Sequence, residues 1–353
     1  MNIQTKIGIV LVSAALIIGC SKDPDPKPVG QYQTGVIVVN EGGFGSSNGT
    51  ISYFNPLTEI MQQNILPINK AGFTGDVAQS LTFSGGKAYI VLNGDNKIEI
   101  VEEGTFKDIE SITSADIVAP RYVEIINNKA YVSVWGPYDD NYALISSYVL
   151  VYDLATKTTV TKIETQEGVE NLLYNGKYLF ASCYNFGGSR TVAVIDPTSN
   201  KLVKEIKVAS GPSGSALDAD GNVWVVSTGT GAEDPGKLFK INATTFAADS
   251  ITLSAKAGVD LAVSMDKKSV LYNVGNAVYQ IPVTATAAAT TPLFEASDVV
   301  TFYGFNVDPS TGNIWVGDAI DYASPGKVYV YTSSGIFTKS YDAGISPGFF
   351  SFR

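Results

Sequence analysis

The stretch GSALDADGNVWVVS, residues 214–227, carries the pattern that decides the fold. Segments 214–218 and 223–227 have the length of short strands, and the second is rich in β-branched and aromatic residues. Between them, Asp220-Gly221-Asn222 tolerate the positive φ angles of a tight turn. Segments 237–242 and 250–253 supply two more strands, so this unit predicts a four-stranded antiparallel sheet.

The second strand of this unit recurs along the chain. The aligned copies are GKAYIV (86–91), NKAYVS (128–133), GKYLFA (176–181), GNVWVV (221–226), KSVLYN (268–273) and GNIWVG (312–317). Their fourth residues are 42 to 48 residues apart. A period in the mid-forties with four short strands per unit is the spacing of β-propeller blades.

The two ends of the chain complete the count of blades. The N-terminal segments GVIVVNEGG, GTISYFNP and IMQQNILPI offer strands two to four of a blade, and the C-terminal ISPGFFSFR offers its first strand. Pairing them closes the ring and protects sheet edges. We therefore predict one all-β domain over residues 34–353, a seven-bladed β-propeller with Velcro closure. The alternative is six blades plus an unpaired hairpin.

The N-terminus has the features of an export signal. Lys6 precedes an apolar run over residues 7–18, which is too short to cross a bilayer core of roughly 30 Å as a helix. Ile17-Ile18-Gly19-Cys20 resembles the lipobox of bacterial lipoproteins, which implies cleavage before Cys20 and its acylation. We predict a signal peptide over 1–19, then a lipidated Cys20 and a flexible acidic, Pro-rich tether over 20–33. The alternative is an ordinary secretory peptide.

The segment after Cys20, SKDPDP, bears on location. It resembles the acidic tag that sends lipoproteins of Bacteroidetes to the outer face of the outer membrane. The expected location is thus the outer membrane, lipid-anchored and facing the exterior; the periplasmic leaflet is the alternative.

Composition excludes several function classes. Without residues 1–19 the chain has 23 Lys and Arg against 34 Asp and Glu, a net charge of −11, which argues against binding nucleic acid. The absence of His removes Ser-His-Asp and Cys-His catalysis and imidazole metal ligation. With Cys20 lipidated, Cys183 is the one free thiol, so no intramolecular disulfide is expected.

Long loops on one face of the predicted propeller suggest a binding surface. They connect strands two and three of the blades, whereas the opposite face has tight turns such as SGGK and DADGN. Aromatic side chains on loops around a cavity favour a flat or bulky ligand. The candidate residues on these loops are Phe44, Trp135, Tyr138, Tyr142, Tyr184, Asn185, Phe186, Arg190 and Tyr322. The alternative is that individual rings only anchor their loops.

Polar residues at the start of the inner strands should surround the channel mouth on the same face. They are Gln79, Arg121, Glu170, Asn171, Ser213, Asp260 and Tyr303. This ring could hydrogen-bond amides or a phosphate, with Arg121 and Arg190 as phosphate partners. It could equally hold channel water. The loop acids Asp139, Asp140, Asp318 and Asp321 are interpreted as solvated charge, and no metal site is predicted.

Two sequence segments carry a family resemblance: VLVYDLATKTTVTKIE and VAVIDPTSNKLVKEIKV. Together with the lipobox and the acidic tail, they resemble the YncE-like propeller lipoproteins of Bacteroidetes. Within that group the chain is similar to BtuG-like surface proteins. The resemblance implies a non-enzymatic protein without a resident cofactor. It implies capture of cobalamin or a related corrinoid and its handover to a TonB-dependent outer-membrane transporter.

Three alternatives remain open from the sequence. A surface-layer or adhesive propeller would bind a protein or a glycan on the loop face. A propeller lactonase would require Glu170, Asn171 and Asp260 to converge on one metal ion. A DNA-binding role conflicts with the negative charge.

Overall fold

The computed structural model describes residues 30–66 and 75–353. These residues form 28 strands in seven four-stranded antiparallel sheets. The sheets are the blades of an all-β, seven-bladed propeller, so the predicted fold class is confirmed. The predicted signal peptide and Cys20 lie outside the described residues. Within the described part, no helix is long and apolar enough to span a membrane.

Blade one consists of β28 (Pro347–Phe352), β1 (Val36–Asn40), β2 (Thr50–Asn55) and β3 (Ile60–Gln62). Blade two consists of β4 (Ala78–Ser84), β5 (Lys87–Leu92), β6 (Lys97–Glu102) and β7 (Asp108–Thr113). Blade three consists of β8 (Pro120–Ile126), β9 (Lys129–Val134), β10 (Tyr148–Asp153) and β11 (Thr158–Glu164). Blade four consists of β12 (Val169–Tyr174), β13 (Leu179–Cys183), β14 (Thr191–Asp196) and β15 (Lys201–Lys207).

Blade five consists of β16 (Pro212–Leu217), β17 (Val223–Ser227), β18 (Lys237–Ile241) and β19 (Ala248–Thr252). Blade six consists of β20 (Leu261–Val263), β21 (Ser269–Val274), β22 (Ala277–Pro282) and β23 (Phe294–Glu295). Blade seven consists of β24 (Phe302–Val307), β25 (Ile314–Asp318), β26 (Lys327–Tyr331) and β27 (Phe337–Asp342). A short 3-10 helix, Asn185–Gly187, lies between β13 and β14.

Blade one joins the two ends of the chain. Strand β28 pairs antiparallel with β1, with Val38 opposite Phe350, and the Arg353 and Gly35 backbones exchange hydrogen bonds of 2.8 and 3.1 Å. The predicted Velcro closure is therefore confirmed. It removes the open edge that β1 would otherwise present.

The apolar core lies between neighbouring blades. Ile98 and Ile100 of blade two, for example, pack in one cluster with Val132 and Leu150 of blade three. The second and third strands of the blades are therefore largely buried on both faces, whereas outermost strands such as β15 are mostly exposed. The innermost strands surround a central channel, which the loops cover at one end.

Aspartates at the ends of third strands stabilise the turns that follow them. The Asp153 and Asp196 carboxylates accept backbone N–H bonds from the residues two positions on, at 2.8 Å in each case. Asp318 differs from its expected role. It is only 1% exposed and accepts N–H groups of Val300, Thr301 and Ile320, so it anchors the loop between β25 and β26 and is not solvated charge.

The packed chain begins before residue 34. Tyr32 is buried, its ring contacts Tyr53 and Phe106 edge-on, and its N–H bonds the Gly104 carbonyl at 2.9 Å. The flexible tether predicted over 20–33 was therefore too long at its C-terminal end. Because Gly104 lies in the turn between β6 and β7, the chain enters the propeller on the face of tight turns.

Candidate functional site

The channel mouth opens on the loop face and is built by bulges. Six of the seven inner strands have a register irregularity at their first residues; β20 is the exception. The irregularities fall on Gln79, Arg121, Tyr122, Glu170, Asn171, Ser213, Gly214, Tyr303 and Gly348. A bulge turns a side chain away from the alternating pattern of its strand. The six bulges therefore bring most of the predicted ring of polar residues to the channel mouth.

Arg121 and Glu170 form the strongest ion pair of the mouth. Nε of Arg121 donates to both Glu170 carboxylate oxygens at 3.0 and 2.9 Å, and Nη2 donates to Oε1 at 2.8 Å. Burial alone lowers the pKa of Arg121, but the Glu170 carboxylate raises it above the ordinary value. The Arg121 guanidinium is thus already paired with the Glu170 carboxylate and is not free to bind a phosphate.

Glu41 is a second centre of the mouth that the sequence reasoning did not single out. It accepts hydrogen bonds from the Tyr303 hydroxyl and from Nε2 of Gln79, the latter at 3.1 Å. Burial raises the pKa of Glu41. Burial also raises the pKa of Tyr303, and the Glu41 charge adds to this. The only available signal was the placement of Glu41 directly after β1, at the start of a long loop.

Asp260 supplies a third carboxyl group to the channel. Burial raises its pKa to about 7, and the Glu41 and Glu170 charges act in the same direction. Its Oδ2 accepts the Phe305 N–H at 3.0 Å. Tyr122, also missed by the sequence reasoning, lies near these carboxylates and contacts Phe349 edge-on. The channel below the mouth is therefore lined by both aromatic and acidic groups.

Above this polar ring is a cavity of about 390 Å³, within the size range of small-ligand sites. It is lined by Glu41, Gly42, Gly43, Phe44, Val77, Asn93, Arg121, Trp135, Tyr138, Phe186, Tyr303, Tyr322 and Ser346. Nine of these, including Glu41 and Asn93, come from loops or strand ends of blades one to three, and Tyr303 and Tyr322 come from blade seven. The cavity is thus assembled across blades and needs the closed ring.

The rim of the cavity exposes several aromatic rings. Phe44 is 85% exposed and Phe186 is 72% exposed, and more than a third of Tyr138 and half of Tyr322 are accessible. Phe186 and Tyr322 have positive φ angles of 49° and 63°, which bulky residues rarely adopt. Strained backbone of this kind concentrates at functional sites, and here it holds apolar rings toward solvent.

Trp135 departs from the expected exposed position. It is only 3% exposed and packs against Phe186, with ring centroids 5.0 Å apart, and under the Arg121 guanidinium at 4.6 Å. Its indole Nε1–H has no hydrogen-bond partner among the described residues, and neither does Oε1 of Gln79. Buried groups of this kind cost about 1–3 kcal/mol when unpaired, so the mouth retains one unused donor and one unused acceptor.

The remaining predicted residues occupy different places. Tyr184 lies beside Phe186, with ring centroids 5.9 Å apart, and Asn185 begins the 3-10 helix. Tyr142 is highly exposed at the tip of the loop before β10. The Arg190 guanidinium lies 3.7 Å from Asp234 and is largely exposed. The phosphate role predicted for Arg190 would therefore require it to leave this carboxylate.

The lactonase alternative depends on three residues that have separate partners. Glu170 binds Arg121, Asp260 accepts a backbone N–H, and Oδ1 of Asn171 accepts the Ser215 hydroxyl at 2.5 Å. Among residues 30–66 and 75–353, no group of three or more acidic, His or Cys side chains is arranged to hold a metal ion. Each of these three residues therefore already has a hydrogen-bond partner within the protein.

Comparisons with known proteins extend this description. The sequence model of a domain of unknown function, DUF5074, matches residues 34–341. A search of curated protein sequences found no significant match.

Solved structures share the fold at low identity. A quinonprotein alcohol dehydrogenase-like protein of Bacteroides thetaiotaomicron has 15% identity and a TM-score of 0.71, covering 91% of this chain and 78% of that one. Hydrazine synthase of Kuenenia stuttgartiensis has 17% identity and a TM-score of 0.55, covering 72% of this chain and 76% of that one. At such identities the similarity shows the propeller fold and carries no activity to this chain.

Proposed function

The chain belongs to the DUF5074 family, and for this member we propose a binding function without catalysis. Its ligand is a corrinoid such as cobalamin, held on the loop face at the channel mouth. The protein is a lipoprotein of the outer membrane, anchored through Cys20, that passes the ligand to a TonB-dependent transporter.

The observation that carries the proposal is the unused donor and acceptor at the mouth. In this proposal, amide groups of the ligand accept a hydrogen bond from Nε1–H of Trp135, which lines the cavity, and donate one to Oε1 of Gln79. A corrin ring is fringed with such amides. A ligand that satisfies both groups recovers the free energy that their burial costs in the empty site.

The exposed rim supports a broad, flat ligand. Phe44, Phe186 and Tyr322 surround the cavity, and their rings can cover an apolar macrocycle. At about 390 Å³ the cavity is too small to enclose a corrinoid, which is larger than a drug-sized ligand. One amide-bearing edge therefore enters the mouth while the rest of the ring lies on the aromatic rim.

Charge at the mouth sets the orientation of the ligand. Arg121 is neutralised by Glu170, and Glu41 and Asp260 add acidic groups nearby. A phosphate close to these carboxyl groups would be repelled. The nucleotide phosphate of cobalamin therefore points away from the channel, which revises the expectation that Arg121 binds it.

The handover step depends on how the protein is held. The described chain enters at Gly30, close to Gly104 on the face of tight turns, opposite the candidate site. The ten Cα–Cα steps from Cys20 to Gly30 span at most about 35 Å when extended. The proposed handover therefore requires this reach to be enough for the loop face to meet a transporter in the same membrane.

Calorimetric titration of cyanocobalamin into protein beginning at Ser21 tests the proposal, with haem and oligosaccharides as comparison ligands. We expect one-to-one binding of cyanocobalamin, weakened about tenfold in Trp135→Phe by loss of one hydrogen bond. Absence of cyanocobalamin binding at tens of micromolar would contradict the proposal and leave a protein or glycan as the partner of the loop face.

A further inference from the structure

A second cavity of about 500 Å³ lies in the cleft between blades seven and one, on the face of tight turns. We call it the seam cleft. Its lining includes Thr34 and Arg353 from the two ends of the chain and Trp315, Val330, Lys339 and Tyr341 from blade seven. Because both chain ends contribute, the cleft exists only because β28 closes the ring.

The internal repeat provides a direct comparison for this cleft. Trp315 is the second residue of β25 and lies opposite Val330, and Trp224 is the second residue of β17 and lies opposite Lys240. Asp308 and Asp218 each follow the inner strand of their blade. Blades five and seven thus place the same Trp and Asp at equivalent positions.

The two tryptophans differ in their hydrogen bonds. Nε1–H of Trp224 donates to Oδ2 of Asp218 at 3.0 Å. In blade seven, the Asp308 carboxylate instead accepts bonds from Ser310 and Thr311. Nε1–H of Trp315, in a side chain 3% exposed, has no partner among the described residues. A buried donor of this kind can pair with a group from outside the protein, such as a ligand oxygen or a water molecule.

The residue opposite each Trp also differs. In blade five, the Lys240 ammonium lies 5.7 Å from the Trp224 ring centre and 3.7 Å from the Asp218 carboxylate. In blade seven, Val330 takes the place of this lysine and leaves the space beside Trp315 open. The cleft beside Trp224 is correspondingly smaller, about 360 Å³.

The charged side chains of the seam cleft already have partners within the protein, so the cleft does not favour an ionic ligand. Lys339 and Glu59 form an ion pair at 3.2 Å, Arg353 contacts Glu103, and Asp308 is saturated by its turn. What remains are hydroxyl and amide side chains beside the partly exposed ring of Tyr341. A neutral ligand with many hydroxyl groups and apolar C–H faces matches this lining.

We propose that the seam cleft is a carbohydrate site that binds one pyranose ring of a neutral glycan. A sugar hydroxyl accepts the hydrogen bond of Nε1–H of Trp315, and the C–H face of the sugar packs on Tyr341. The Lys339–Glu59 pair bridges blades seven and one across the cleft. Because both side chains are at least half exposed, the pair contributes little stability and can open to admit the sugar.

The three tryptophans of the chain, Trp135, Trp224 and Trp315, allow a site-resolved test. Their indole N–H signals in a ¹H–¹⁵N spectrum are assigned by three Trp→Phe variants. The titrants are the methyl glycosides of glucose, galactose, mannose and N-acetylglucosamine. We expect at least one of them, at millimolar concentration, to shift the Trp315 signal in a saturable way while the Trp224 signal stays in place.

Val330→Lys is the matched variant, because it gives blade seven the lysine of blade five. It should fold, since the same pair exists in the same chain, and should abolish the sugar-dependent shift of Trp315. A Trp315 signal unmoved by all four glycosides would overturn the proposal. So would a shift of equal size in Val330→Lys, because the sugar would then bind elsewhere.

Discussion

At the residue scale, the indole groups of this propeller differ in whether their N–H has a hydrogen-bond partner. Trp135 and Trp315 each bury an indole N–H that has no partner in the part of the chain that the structure describes, whereas Trp224 donates its N–H to Asp218. An unpaired buried donor is destabilising, and its removal forfeits no hydrogen bond in the empty protein. The same Trp→Phe change therefore has different consequences at the two kinds of site.

We expect Trp224→Phe to lower the free energy of unfolding by about 1–3 kcal/mol, because it removes a hydrogen bond to a buried carboxylate. Trp135→Phe removes no hydrogen bond of the empty protein, so we expect a smaller loss that comes only from the packing of the indole against Phe186 and Arg121. Urea unfolding of the two variants and the wild type measures both effects. Equal losses in the two variants would contradict the assignment of Trp135 as an unused donor.

Asp260 links the channel mouth to pH. Since burial raises its folded pKa to about 7 from an unfolded value of 3.8, the folded protein retains a proton that the unfolded chain loses. This contribution to stability is complete below pH 3.8 and is lost as the pH rises through about 7. At higher pH an ionised Asp260 lies close to Glu41 and Glu170.

Asp260→Asn should remove this dependence, because the amide oxygen can still accept the Phe305 N–H and never ionises. The free energy of unfolding of the variant minus that of the wild type should be larger at pH 8 than at pH 5, by about 1–3 kcal/mol. Urea unfolding at both pH values measures this difference. An identical stability change at pH 5 and pH 8 would rule out titration of Asp260 in this range.

At the scale of the strand, the blades were predictable and the bulges were not. The turn and second strand of blade five follow from Gly221 and the run Val223–Ser227, which the structure reproduces residue for residue. Register within a sheet, however, is set by pairing with a neighbouring strand. No local pattern at Arg121 or Glu170 indicates that a bulge turns these side chains into the channel.

The dependence of the structure on contacts between distant segments also explains which site residues the sequence did not predict. Glu41 follows an ordinary strand, and only the approach of Tyr303, 262 positions away in sequence, makes it part of the mouth. Trp135 was expected to be exposed because it begins a loop, but Phe186 of the next blade covers it. Contacts between blades depend on the closed ring, which a local sequence pattern does not describe.

The closing strand β28 gives a prediction for stability. Phe350 is buried in the seam and its ring centre lies 6.4 Å from that of Trp315. Phe350→Ala should lower the free energy of unfolding by about 3–5 kcal/mol through loss of contacts and creation of a cavity. Phe352→Ala, at a partly exposed position of the same strand, is the control and should cost clearly less. Equal costs would argue against the seam as a packed interface.

For the whole molecule, the account separates ligand capture from membrane attachment. Deletion of residues 22–29 spares Gly30, whose backbone packs against Gly104. We expect this deletion to preserve affinity for cyanocobalamin in solution and to impair uptake in cells, because the loop face loses its reach. Unchanged uptake by cells carrying the deletion would contradict the tether role.

The absence of His sets a second property of the whole molecule. No imidazole of the protein can displace the lower ligand of cobalamin, so the vitamin should remain base-on when bound. The visible absorption spectrum of the complex reports this directly. A shift to the base-off spectrum on binding would contradict the expectation.

The central claim is that the channel mouth, through Trp135, receives the ligand. It is tested most directly by titrating cyanocobalamin into ¹⁵N-labelled protein and following its three indole N–H signals. The account predicts a one-to-one, saturable shift of the Trp135 signal, with those of Trp224 and Trp315 unmoved. A Trp135 signal that stays in place at excess cyanocobalamin would contradict it.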